Sequence, residues 1–141
     1  MNLLSELLTY LAGKLGLTVG TNAFYNEDDQ APAKCLLIQE EPTRIGVPAQ
    51  INASIHLVKI TVRDSNNTLA KTLADNAWRW LLTSDALYDT NPEEVDTTGF
   101  IDLGGENFIY VWLYGVPTWL KADDEGRKYF SFYAQITTSK F

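Results

Sequence analysis

Apolar residues recur every three to four positions at Leu3, Leu4, Leu7, Leu8, Leu11 and Leu15, which predicts an amphipathic helix with Asn2 as its cap and Gly16 as its stop. From Thr18 to Lys34 the pattern lapses. Gly20, Asn22, Asn26, Pro32 and the acidic run Glu27-Asp28-Asp29 read there as an extended loop, with one short strand near Ala23 to Tyr25. Cys35-Leu36-Leu37-Ile38 follows as a short buried strand. Beyond a loop marked by Pro42, Gly46 and Pro48 the period changes to two, and His56, Val58, Ile60 and Val62 share one face of a long strand from Ser54 to Arg63. Asp64-Ser65 ends that strand and offers caps to a second helix, in which Leu69, Leu73, Ala77, Trp80 and Leu81 recur at a helical period. Trp78 and Trp80, two apart on that helix, cannot share a face, so one is expected in the core and the other partly exposed.

The second half of the chain reads as strands. Asp85 to Asn91 is a loop, Asp96 to Leu103 a strand, and Gly104-Gly105 a turn. The run Phe108-Ile109-Tyr110-Val111-Trp112-Leu113-Tyr114 is strand-like and apolar on both faces. Phe108, Tyr110, Trp112 and Tyr114 point one way; Ile109, Val111 and Leu113 point the other. Two helices suffice to cover one face of a sheet, so one of these rows is expected to meet another subunit. In the last strand, Lys128 to Thr138, Phe130, Phe132, Ala134 and Ile136 alternate with Tyr129, Ser131, Tyr133 and Gln135. Val116 to Leu120 and the charged stretch Lys121 to Arg127, with Gly126 available for a positive φ, connect the two strands as an antiparallel hairpin with a long, exposed tip. The sum is a single α+β domain over residues 1–141: two layers, an antiparallel or mixed sheet of about four to five strands, and two helices packed on one face.

Composition narrows the function classes. With 141 residues, 45% of them hydrophobic, one full core is affordable and two separate ones are not. The net charge of −7 argues against generic binding to phosphate backbones. Lys59, Arg63, Lys121, Arg127 and Lys128 stand scattered among acids, so the aromatic row is not expected to serve as a single-strand stacking platform. The single cysteine, Cys35, cannot form an internal disulfide. No run approaches the roughly 20 apolar residues of a membrane span and no leader pattern opens the chain, so a soluble protein made in the cytoplasm is expected.

Catalytic chemistry finds no foothold. His56 and Cys35 each fall in a strand, where packing is the commoner role, and zinc would need more His and Cys than the chain has. Asp123-Asp124-Glu125-Gly126 lacks the ligand spacing of a calcium loop, and no glycine loop is placed to cradle phosphate. No enzyme activity, cofactor or metal is expected.

The order of elements and several short motifs resemble a known family. These motifs are Gly20-Thr21-Asn22-Ala23-Phe24; Pro32 before Cys35-Leu36-Leu37-Ile38-Gln39-Glu40; Val62-Arg63-Asp64 running into a helix with Ala70, Leu73, Ala74 and Trp78; and Pro117, Leu120, Asp123, Asp124, Gly126, Arg127, Tyr129 and Phe130 near the end. Together they resemble the tail terminator or minor capsid proteins of long-tailed bacteriophages. The resemblance implies a homo-oligomeric ring, usually a hexamer, that caps the tail tube, ends its polymerisation and joins it to the head connector, while duplex DNA passes through without specific binding. Its partners would be the major tail tube protein and the head-connector or stopper protein, with no membrane involved; its place would be the virion, after assembly in the host cytoplasm.

The residues assigned to contacts are Phe108, Tyr110, Trp112 and Tyr114 together with the hairpin tip, Asp123, Asp124, Glu125, Arg127 and Lys128. Glu27, Asp28 and Asp29 are candidates to line a lumen and repel DNA, although a charge run in a loop is most often only a solvated surface. Two rivals stand beside this reading: a head-completion or neck protein of the same virion, and a small cellular α+β ligand-binding protein or enzyme, which would need a pocket with converging polar groups.

Overall fold

A computed structural model describes residues 3–26, 32–41, 54–82, 101–103 and 108–138. The Asn2 cap, the lumen candidates Glu27, Asp28 and Asp29, the 85–91 loop, the start of the 96–103 strand and the Gly104-Gly105 turn lie outside these residues. The elements are α1 (Leu3–Leu15), β1 (Ala23–Tyr25), β2 (Cys35–Glu41), β3 (Ser54–Asp64), α2 (Asn67–Trp80), β4 (Ile101–Asp102), β5 (Phe108–Ala122) and β6 (Lys128–Thr138). The strands form one sheet of six in the order β1-β2-β3-β6-β5-β4. It is mixed: β1 runs parallel to β2, and every other pair is antiparallel.

Register explains the core. Alternate residues of each strand fall into cross-strand rows, Leu36–Val62–Phe130, Ile38–Ile60–Phe132 and Val58–Ala134–Leu113, and all but the half-buried Leu113 are buried. Both helices cover this one face, α2 over β3, β5 and β6, and α1 beside α2 over β1 and β2. Leu7, Leu8 and Leu11 of α1 are fully enclosed, each contributing about 1.5–3 kcal/mol of transfer free energy. Gly16, at φ +71°, ends α1 as a left-handed residue that a side chain would strain. The two-layer α+β arrangement with both helices on one face is therefore the fold of the chain. The sheet gains its extra strands at the edges, from the three-residue β1 and the two-residue β4.

Two local expectations are corrected. The cap of α2 is Asn66, whose Oδ1 accepts the Leu69 backbone N–H at 2.8 Å, while Asp64 stays on β3 and accepts the Ser65 N–H at 2.6 Å. Leu69 is 50% exposed; the buried stripe is Ala70, Leu73, Ala74 and Ala77, continued by Leu81 just past the helix. Three alanines in that stripe let the helix axis approach the sheet closely, and the contact runs along their side of the helix.

Candidate assembly surface on the open face of the sheet

The residues that alternate with the core rows make the sheet's other face, where no helix packs among the described residues. One row runs Gln39–Lys59–Tyr133–Tyr114, and two residues further along lies Glu41–Leu57–Gln135–Trp112. In the other direction come Leu37–Thr61–Ser131–Thr118 and then Cys35–Arg63–Tyr129–Lys121. Trp112 is 59% exposed, Tyr114 and Tyr133 stand exposed opposite each other, and the Tyr114 hydroxyl donates to Gln135 Oε1 at 2.9 Å. Lys59 Nζ lies 5.9 Å from the Tyr133 ring centre; Arg63 and Lys121 lie 5.8 and 4.8 Å from that of Tyr129. Three cations that stand among acids in the sequence thus fall on one face, although Arg63 is buried there with its guanidinium donating to the Pro32 carbonyl.

Exposed apolar surface concentrates along β5. Of eight large hydrophobic side chains exposed among the described residues, five fall between Trp112 and Leu120: Trp112, Tyr114, Val116, Trp119 and Leu120. A sixth, Tyr133, faces Tyr114. Isolated exposed apolar residues are ordinary, whereas a contiguous strip marks a contact site. The outer edge of β5 pairs with β4 only at Phe108 and Ile109, and no described strand covers it from Trp112 to Ala122.

This edge is protected against indiscriminate pairing. Between Tyr114 and Thr118, Gly115-Val116-Pro117 bulges out, with Gly115 at φ +67° and its carbonyl accepting the Trp78 indole N–H at 3.0 Å. A second slip follows between Trp119 and Lys121. Bulges and an edge proline are the devices by which sheet edges avoid adding a stray strand. What this strand offers a neighbour is therefore side chains more than an open hydrogen-bonding ladder.

The hairpin tip is shorter and better anchored than the sequence implies, because β5 continues through Lys121 and Ala122. Asp123 accepts the backbone N–H groups of Glu125 and Arg127 at 3.0 Å each, the Arg127 guanidinium at 2.7 Å and the Tyr129 hydroxyl at 3.1 Å. Burial pushes its pKa up, but the bonds from the Arg127 backbone and guanidinium, the Tyr129 hydroxyl and the Glu125 backbone outweigh it and bring the value to about 2. Burial, then the bond to Asp123, pushes the Tyr129 hydroxyl up. Arg127 and Arg63 both donate to the Pro32 carbonyl, at 3.3 Å and at 2.9 and 3.1 Å, tying the tip to the residues leading into β2. Of the tip residues assigned to contacts, Asp123 and Arg127 are turned inward, Lys128 is half-buried, and Asp124 and Glu125 reach solvent.

The structure thus brings Tyr110, Trp112 and Tyr114 together on the open face and sets the tip acids apart at one end of it. Phe108 pairs with Asp102 at the start of β5. Unforeseen members are Tyr133, Lys59, Arg63 and Lys121, placed by register and bulges that alternation alone does not give, whereas the exposed Trp119 pairs with Phe130 in a helix-side row.

Other chemistry is sparse among the described residues. Cys35 is buried at the start of β2, and His56 Nδ1 lies 2.5 Å from Glu40 Oε1 beside the core rows. No three His, Cys, Asp or Glu side chains gather there as metal ligands, and no helix among these residues is long and apolar enough to cross a membrane. A cleft of about 190 Å³ between α1, α2 and the start of β2 is lined by Lys14, Lys34, Asp64, Asn76 and Trp80 among others. It falls below the roughly 300–1,000 Å³ of small-molecule sites. No known family model matches the chain, and no curated protein does.

Proposed function

We propose that this chain is a structural, non-enzymatic virion protein: the tail terminator of a long-tailed bacteriophage. It assembles as a ring, in such proteins usually of six copies, on the end of the tail tube, stops the tube's growth and joins it to the head connector, with duplex DNA passing through. One observation carries the assembly part of this reading, the exposed apolar strip from Trp112 to Leu120 with Tyr133 beside it. Such a surface is costly to leave in water and suits a permanent contact. The tail assignment rests on the motif order set out above.

Polymerisation of the major tail tube protein in the presence of this chain tests the proposal. Tubes capped at one end and arrested in length are the expected result. Unlimited tubes with no bound chain overturn it, and binding to the portal side of the head with tail length unaffected transfers the chain to the neck.

A further inference from the structure

We infer that the cleft between α1, α2 and the start of β2 binds a free apolar α-amino acid of the size of leucine or phenylalanine. The cleft lies on the helix side of the sheet, away from the assembly face, and does not depend on the tail assignment. Its apolar wall is the first ground. Leu69, Leu73, Asn76 and Trp80 stand on one face of α2, beside the buried alanine stripe, and Leu15 of α1 joins them. This accounts for Leu69, the apolar residue that the core stripe leaves out: 50% exposed, it lines the cleft. The cleft has about 190 Å³. That is short of a drug-sized ligand but above the roughly 150 Å³ that takes up benzene, so one apolar side chain with a compact polar head fits.

The charges around this wall are the second ground. Tyr10 donates its hydroxyl to the Trp80 carbonyl at 3.2 Å, and one turn later Lys14 Nζ lies 4.6 Å from the centre of the Trp80 ring and 5.8 Å from that of Tyr10. The two rings hold this ammonium at the cleft, and no described carboxylate pairs with it. Lys34 and Asp64 line the cleft at the end of the sheet where Cys35 pairs with Arg63, without an ion pair between them. Asp64 is 7% exposed; its Oδ1 accepts the Ser65 N–H and hydroxyl, and its Oδ2 receives no bond from a described residue.

Two ammonium groups and a carboxylate with an unused oxygen thus border one apolar wall. An anion alone would meet Asp64, and an amine alone would meet the two lysines. A small molecule that carries both an ammonium and a carboxylate satisfies all three, while its apolar side chain covers Leu69, Leu73 and Trp80. A peptide bond at either end removes one of the two charges, so the free amino acid fits and a chain terminus does not.

Titration of the isotope-labelled full chain with L-leucine and L-phenylalanine, followed by amide and indole NMR shifts, tests this. Saturable shifts centred on Lys14, Leu69, Asn76 and Trp80 are expected, with a Kd of about 1 mM or tighter. N-acetyl-leucine, which lacks the ammonium, and leucinamide, which lacks the carboxylate, should each bind about tenfold or more weakly. Lys14→Ala with Lys34→Ala should weaken leucine but not leucinamide. Asp64→Asn, whose side-chain oxygen can still accept from Ser65, should weaken leucine but not N-acetyl-leucine, and the same spectra show that each variant stays folded. No saturation at about 10 mM ligand, shifts scattered over the surface, equal binding of the three leucine compounds, or a leucine affinity indifferent to these substitutions overturns the inference.

Discussion

The two faces of the sheet are built from the same strands, one residue out of step, and they differ in kind. On the helix side the rows are aliphatic with a few phenylalanines, almost wholly enclosed; on the open side they run from buried at one end, with Cys35, Leu37, Thr61, Arg63 and Tyr129, to exposed around Trp112, Tyr114 and Tyr133. The contrast within β6 is the sharpest, with Phe130, Phe132, Ala134 and Ile136 buried and Tyr133 between them exposed. Stability and association are thus written on alternating positions of one strand. A substitution should disturb one property or the other, according to its parity.

The largest expected effect is on the covered side. Ile60→Ala removes a fully buried side chain between Ile38 and Phe132, and should cost about 2–5 kcal/mol in urea unfolding of the monomer. A loss below about 1 kcal/mol would mean that the helices do not seal this face. Asn66→Ala comes next. It removes the one side-chain bond that caps α2 and should cost about 1 kcal/mol, whereas Ser65→Ala, at the position the sequence favoured, should leave the helix start unaffected.

The hairpin tip responds to acid. The folded pKa of Asp123 is held at about 2, below the roughly 3.9 of an unfolded aspartate, so its contribution is full above about pH 4 and is lost as pH falls through 2. Protection of the Glu125 to Arg127 amides, taken relative to their intrinsic exchange rates, should fall over that window and stay constant above it. Asp123→Asn should lower that protection above about pH 4, match the wild type below about pH 2, and abolish the acid step. An unaltered profile would remove Asp123 as the anchor.

Legibility followed the regularity of the backbone. The heptad-like leucines of α1 and the unbroken alternation of β3 and β6 could be read directly, since one residue of error would have put apolar rows in water. α2 was harder, because alanine carries little signal and Leu69, its most apolar early residue, lies outside the contact. The second half of β5 was least legible. By simple alternation Lys121 belongs on the helix side, but the slip at Leu120 moves it next to Tyr129 on the open face. The clustering of Lys59, Arg63 and Lys121 depends on that slip and on β3 lying beside β6, and linear order shows neither.

The smallest effect on the isolated fold is the most telling for the comparison. Trp112→Ser deletes the largest side chain of the open face, one 59% exposed and in the row opposite to that of Val111 and Ile136. Exposed substitutions away from caps and buried networks usually stay within about 0.5 kcal/mol, so the unfolding midpoint of the monomer should scarcely move. Replacing a buried aromatic would instead cost about 3–5 kcal/mol. A loss of that size would show that Trp112 is covered within its own chain, and that the sheet has two closed faces instead of one closed and one open to a neighbour. Unchanged monomer stability together with lost self-association is the result that separates the two rows of β5.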